Sequence, residues 1–192
     1  MQFTFLGKEA GAKMAKADYV DPVELSHLLA ALMPENRLAM EISMVTGLRI
    51  SDVLGLRTEP LKASPNGRMT VRELKTGKNR RIYIPKELRE RALRYAGRLY
   101  IFEHRYSPDR HRTRQAVWKD MKRVARAFNL RANLAPHSAR KTYSVAEYQK
   151  GGLKRLQGLL QHTSEAVTVL YALADEMTRR KLKGARSSAI RP

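Results

Sequence analysis

Six side chains in this sequence have the chemistry to act together on a phosphodiester: the guanidiniums of Arg49 and Arg140, the imidazoles of His137 and His162, the ammonium of Lys75 and the phenol of Tyr171. Taken singly, each has an ordinary explanation. Arg49 comes just after a helix-ending glycine, where a solvated arginine is commonplace, and Lys75 and Lys78 sit at a hairpin tip as solubilising lysines do. His137 and Arg140 are three residues apart on a helix and so leave the same face. Tyr171 lies among Val167, Leu170, Ala172 and Leu173, a core setting with the hydroxyl at its rim. Taken together, the six supply fixed positive charge, proton carriers and a nucleophile, with no thiol and no carboxylate pair. Arg49 and Arg140 would clamp the non-bridging oxygens and neutralise the charge that grows in a five-coordinate transition state, a task suited to planar, always charged guanidinium. Tyr171 would attack, and its unperturbed pKa of about 10 means that it needs a base and a positive field.

The composition narrows the partner. Lys and Arg outnumber Asp and Glu by 38 to 18 in 192 residues, a formal charge of +20, which points to a polyanion such as nucleic acid or an acidic membrane surface. The charge is spread over Arg80-Arg81, Arg89 to Arg91, Arg110 to Arg114, Lys119 to Arg123 and Arg179 to Lys183, so a folded basic face is expected rather than a charged tail alone. No apolar run reaches the length of a membrane span, and Met1 to Lys16 lacks the apolar stretch of a signal peptide. The absence of cysteine removes disulfides and thiolate metal sites and is compatible with a reducing, cytoplasmic setting. The acidic residues are scattered, which argues against a two-metal carboxylate site; no metal or other cofactor is expected.

The elements that must position these groups read as α+β: a mostly helical single domain with a small three-stranded antiparallel sheet. Residues 1–19 form a basic, glycine-containing lead-in, 20–178 the domain, and 179–192 a basic tail. Helical spacing predicts helices over Val23 to Leu32 and Glu35 to Thr46, the second ending at Gly47, then a short helix from Ile50 to Leu56. Met69, Val71 and Glu73 alternate with Thr70, Arg72 and Leu74, and Thr76 to Asn79 turns the chain into Arg80 to Ile84, giving a hairpin with a lysine-rich tip. The turn at Pro65 to Gly67 suggests a third strand around Leu61 to Ala63. Pro85 opens a helix to about Ala96, and a polar connection from Glu103 to Arg112 leads to a helix from Thr113 to Phe128 with Val117, Met121, Val124 and Phe128 inward. Further helices are His137 to Lys150, ending at Gly151-Gly152, then Leu153 to Gln161 and Glu165 to about Met177.

Four segments in order, TGLRISD from Thr46 to Asp52, KTGK from Lys75 to Lys78, HSAR from His137 to Arg140, and His162 to Tyr171 nine residues on, resemble the boxes of the tyrosine recombinase (phage integrase) catalytic domain. The resemblance runs from about Val20 to Asp175. It implies a site-specific DNA recombinase, of integrase or invertase type in a phage or mobile element, that cuts and rejoins through a 3′-phosphotyrosyl intermediate without metal or ATP. In that scheme Arg49 and Arg140 bind the phosphate, and Lys75 on its hairpin protonates the leaving 5′ oxygen. His137 exchanges a proton with the nucleophile Tyr171, His162 is a second phosphate hydrogen-bonder, and Asp52 orients rather than reacts. Double-stranded DNA is the implied partner, with self-association to a tetramer on DNA from a free monomer or weak oligomer, and with accessory DNA-bending proteins.

Three positions depart from the family's pattern: Gln161 where a glycine commonly precedes the histidine, Ala139 inside the H-x-x-R box and Lys141 just after its arginine. Thr58 to Lys62 also lacks the family's Trp and Asp after the first box. The family carries a helical core-binding domain ahead of the catalytic one, whereas about twenty residues precede the first helix here. Either the chain is a catalytic-domain-only recombinase, as fimbrial inversion recombinases are, or that part lies outside this sequence. The segment after Tyr171 is expected to dock on a neighbouring protomer through Leu182 and Ile190. Two alternatives share the constellation: a type IB topoisomerase-like DNA relaxing enzyme, and a regulator that binds DNA on this fold without cutting it.

Overall fold

Pro34 to Thr46 carries buried side chains around most of its circumference, among them Leu38, Ala39, Met40, Ile42 and Ser43, and a helix of that kind belongs inside a core. It is α2 in the computed structural model, which describes residues 17–130 and 132–160. The elements in chain order are α1 (Pro22–Ala30), α2 (Pro34–Thr46), α3 (Ile50–Leu54), α4 (Thr58–Lys62), β1 (Arg68–Arg72), β2 (Asn79–Tyr83), α5 (Lys86–Tyr95), β3 (Glu103–His104), β4 (Ser107–His111), α6 (Arg114–Ala127) and α7 (His137–Leu160). α2 packs against α1, α3, α5, α7 and β2. Leu25, Leu29, Leu54, Ile84, Ile101 and Met121 fill the core around it.

Both ends of α2 are fastened by side chains from distant sequence. At its start, the Met33 N–H and Asn36 Nδ2 donate to Asp120 Oδ2 at 2.8 and 2.7 Å, so an α6 carboxylate satisfies an orphan donor and meets the positive end of the helix dipole. At its end, Gly47 takes the left-handed conformation (φ 66°, ψ 13°), and its N–H donates to the Ser43 carbonyl. A Cβ on Gly47 would lie 2.3 Å from ring atoms of Tyr143 on α7, so both backbone angle and packing exclude a side chain there.

The period-two pattern is realised in β1 and β2, paired antiparallel with Met69 opposite Ile82 and Val71 opposite Arg80. Met69 and Ile82 face the core. The sheet has two strands, not three: Thr58–Lys62 is helical, and the residue before it, Arg57, makes an isolated antiparallel bridge with Tyr100. Pro60 explains the difference, because it sits in the first turn of α4, where a backbone N–H has no intrahelical partner to lose. The expected connection from Glu103 to Arg112 instead holds a second hairpin, β3 with β4, shifted in register between Glu103 and His104. Its strands bury neither face and include Pro108, so they carry no hydrophobic alternation to read. On α6, Val117, Met121 and Val124 point inward as expected, but Phe128 is 56% exposed because it is the C-cap, where the chain leaves the helical path. Pro85 is the N-cap of α5, which begins at Lys86.

α7 is interrupted at Gly151 and Gly152, whose dihedrals leave the helical region, as the glycine pair predicted. Val145 and Leu156, one on each side of the break, pack together with Tyr19 and Tyr148, and Arg155 pairs with Glu147 at 2.8 Å. The first turns of α7 are tied to the chain ahead of α1: Lys141 Nζ donates to the Ala17 carbonyl, and Thr142 Oγ1 to that of Val20 at 3.1 Å. Lys141, a departure from the resembled pattern, is thus a buried strut, and Ala139 beside it is fully buried against the core.

Candidate active site

Three arginines from three separate segments meet at the C-terminal end of α2. Arg80, on the inward face of β2, donates from Nη2 to the Thr46 carbonyl at 2.8 Å and from Nη1 to the Gly47 carbonyl at 3.3 Å. Arg140, in the first turn of α7, donates from Nη1 to the same Gly47 carbonyl. Guanidiniums suit this place because the last carbonyls of a helix are unsatisfied and carry its partial negative charge. Arg49 is the N-cap of α3, and its extended backbone (φ −65°, ψ 147°) comes two residues after the left-handed glycine. Its Nη1 lies 2.9 Å from Glu73 Oε2.

Glu73 is the hub of the arrangement. It is 1% exposed, and its Oε2 accepts from Arg49 and from the Thr76 hydroxyl at 3.0 Å, while Oε1 lies 3.3 Å from Arg80 Nη1. Burial by itself would raise its carboxyl, but the bonds from Thr76 and Arg80, with the charges of Arg49 and Arg140, hold it below the ordinary value of 4.5. Asp52, on α3, lies at the same centre. Its Oδ1 accepts the Leu74 N–H at 2.8 Å, and Oδ2 is buried without a hydrogen-bond partner among the described residues. Its carboxyl is raised above 3.8: desolvation dominates, the Leu74 N–H opposes it, the charge of Glu73 adds to the rise, and Arg49 and Arg140 pull it back. The two carboxylates are thus shifted in opposite directions, Glu73 down by its donors and neighbouring charges and Asp52 up by burial.

Lys75 is exposed, in the turn between β1 and β2. That turn is closed by Gly77 N–H to the Glu73 carbonyl at 2.8 Å and Glu73 N–H to the Lys78 carbonyl at 2.9 Å, with Gly77 at φ 66°. His137 is the exposed first residue of α7, one turn before the buried Arg140. The structure therefore brings Arg49, Asp52 and Arg140 together about Glu73 and puts Lys75 on the loop that Glu73 begins. His162 and Tyr171, and Gln161 with them, lie outside the described residues. Among the described residues no group of three or more histidine, cysteine or acidic side chains could hold a metal ion, and no helix is long and apolar enough to cross a membrane.

Glu73 and Arg80 are the site residues that motif spacing does not identify. A signal for both was present: the alternation puts Glu73 on the inward face with Met69 and Val71, and register puts Arg80 opposite Val71. A carboxylate and a guanidinium in core positions of one hairpin must find each other or another charge, because an unpaired buried ion is costly.

The sequence profile of the phage integrase family matches residues 18–177. Among curated relatives, the tyrosine recombinase XerD of Lacticaseibacillus casei is 27% identical over 178 residues, 88% of this chain and 57% of that protein. The tyrosine recombinase XerA of Pyrococcus furiosus is 29% identical, over 78% of this chain and 53% of its own length, so the chain spans little more than half of these relatives. The probable integrase/recombinase YoeC of Bacillus subtilis is 29% identical over 70% of this chain and 75% of its own. In fold, the chain is similar to a lambda integrase dimer bound to a core site (TM-score 0.65, 20% identity, 84% of this chain and 62% of that one). It is also similar to the catalytic domain of bacteriophage HP1 integrase (TM-score 0.58, 18% identity, 82% and 89%). With the family profile covering most of the sequence and the fold shared with integrase catalytic domains, the chain belongs to the phage integrase family.

Proposed function

We propose that this chain is the strand-cutting part of a site-specific DNA recombinase, with Tyr171 as nucleophile, Arg49 and Arg140 as phosphate clamp, and Lys75 as general acid. The observation that carries the reading is the placement of Arg49 on Glu73 and of Arg140 on the Gly47 carbonyl, two acceptors that Arg80 bridges, in a chain of the phage integrase family. A scissile phosphate would take over contacts that Glu73 now makes with Arg49, and the two guanidiniums would be preorganised for the charge of the transition state. The Tyr171 phenol gives its proton to His137 as its oxygen bonds to phosphorus. The P–O5′ bond breaks, and the Lys75 ammonium gives a proton to the departing 5′ oxygen. The products are a 3′-phosphotyrosyl ester and a free 5′ hydroxyl. Running the steps backwards with a 5′ hydroxyl from another strand rejoins DNA, with the ester conserving the energy of the broken bond. His162 would share the phosphate with the arginines, and Asp52 would orient the loop through Leu74.

The reading also takes support from the relatives' names and from the net charge of +20, which suits double-stranded DNA as substrate. A tetramer on DNA and a cytoplasmic location are part of the same proposal. The test starts by selecting bound sequences from a randomised duplex library, since base readout rests on surface side chains that no spacing rule identifies. The selected duplex is then placed twice on a supercoiled plasmid. Exchange between the two copies is the expected outcome; relaxation without exchange would replace recombinase by topoisomerase, and binding without cutting by regulator.

A further inference from the structure

From the bonds at the base of the Lys75 loop we infer that Glu73 and Thr76 form a latch that positions Lys75, so that phosphate binding at Arg49 is coupled to placement of the general acid. The inference rests on the recombinase reading above and adds two positioning residues to it. One oxygen carries the coupling. Glu73 Oε2 is shared between Arg49 Nη1 at 2.9 Å and the Thr76 hydroxyl at 3.0 Å. Thr76 is the residue after Lys75, and its Oγ1 also accepts the Lys78 N–H at 3.3 Å, so a single hydroxyl spans the loop from base to far side. Leu74, the residue before Lys75, is held from its N–H by Asp52 Oδ1. An exposed lysine with a flexible stem is thereby flanked by two residues bonded to buried carboxylates.

The partition of bonds argues for a role beyond folding. Were Glu73 only a counter-ion for the buried Arg80, contact through Oε1 would suffice, and Oε2 would have no reason to meet both Arg49 and the loop. A phosphate at Arg49 competes with Oε2 for that guanidinium. Glu73 then leans on its remaining partners, Thr76 and Arg80, and its grip on the loop tightens as substrate arrives. Before DNA binds, the same carboxylate shields Arg49 from other anions.

The test compares cleavage of ordinary DNA with cleavage of DNA whose scissile 5′ bridging oxygen is replaced by sulfur, a leaving group that departs as thiolate without a proton. Thr76→Val keeps the shape of the side chain and removes only the hydroxyl, and Glu73→Gln is the second variant. Thermal melting of each reports folding independently. Thr76→Val should cut ordinary DNA about 10-fold or more slowly, the size of one lost hydrogen bond to a charged group, yet cut the sulfur substrate at close to the wild-type rate. Glu73→Gln should show the larger loss on oxygen and only partial recovery on sulfur, since it also disturbs Arg49. A Thr76→Val enzyme that cuts ordinary DNA at the wild-type rate, or is slowed equally on both substrates, overturns the latch while leaving the recombinase reading intact. Failure of the wild-type chain to form a Tyr171-dependent adduct on either substrate removes that reading and the latch with it.

Discussion

Replacing Gly47 by alanine probes the corner on which the arginine centre hangs. The residue sits at φ 66°, where a Cβ meets the following carbonyl oxygen at a cost of about 1–2 kcal/mol. The same Cβ would stand 2.3 Å from the Tyr143 ring, far inside contact distance, so the ring or α7 must shift, at about 1–3 kcal/mol for an overpacked core. The sum, about 2–5 kcal/mol, is a large share of a typical net stability of about 5–15 kcal/mol. Urea unfolding followed by circular dichroism measures it. The two terms separate in a double-mutant cycle with Tyr143→Ala: once the ring is gone only the backbone cost remains, so the pair should show a favourable coupling of about 1–3 kcal/mol. Gly47→Ala within about 0.5 kcal/mol of wild type, or an undiminished penalty in the Tyr143→Ala background, would mean that the left-handed backbone and the ring contact do not set the cost of a side chain at Gly47.

Arg80→Met, which keeps bulk but strips Glu73 and the Thr46 and Gly47 carbonyls of a donor, should destabilise by about 3 kcal/mol, the low end for breaking a buried pair because Arg49 still faces Glu73; denaturant titration checks it, and a neutral result would show that the contact carries nothing. Stability should also fall on acidification. Glu73 is held below its ordinary 4.5 by Thr76, Arg80, Arg49 and Arg140 against the opposing effect of burial, so its contribution is complete above that value and lost as pH falls through the depressed one. Glu73→Gln should flatten the acid limb of a Tm-against-pH profile relative to wild type, and an unchanged limb would contradict the assignment. DNA affinity should drop steeply with salt, each neutralised phosphate adding about −0.9 to the log–log slope; a nearly flat isotherm series in fluorescence anisotropy would count against a basic DNA-binding face.

What could be read from the sequence follows from where the signal lay. α2 was legible because Leu38 and Ile42 keep helical spacing up to a glycine that stops the helix, although Val45, apolar in the same pattern, is exposed, and β1 with β2 because Met69, Val71 and Ile82 alternate around a short polar tip. β3 and β4 were illegible for the converse reason: a strand exposed on both faces leaves no hydrophobic pattern. α4 misled because a turn signal at Pro65 to Gly67 says nothing of what precedes it, and a five-residue helix is too short to show a period. At the candidate site, Arg49, Asp52 and Arg140 were proposed from motifs, and they lie about Glu73 in the structure. Glu73 and Arg80 escaped because single charged residues in a basic chain look solvated until the register turns them inward, and the tie of Lys141 to Ala17 spans a sequence distance that no local pattern encodes.

The claim that Tyr171 cuts DNA between two clamped arginines is tested most directly by trapping the protein on a nicked duplex from which the cut strand diffuses away, then mapping the DNA-linked peptide by mass spectrometry. One adduct is expected, formed in EDTA, carried by Tyr171, lost in Tyr171→Phe and greatly slowed in Arg49→Ala and Arg140→Ala. A phosphoryl link on any other residue, or an adduct that persists in Tyr171→Phe, would contradict the claim.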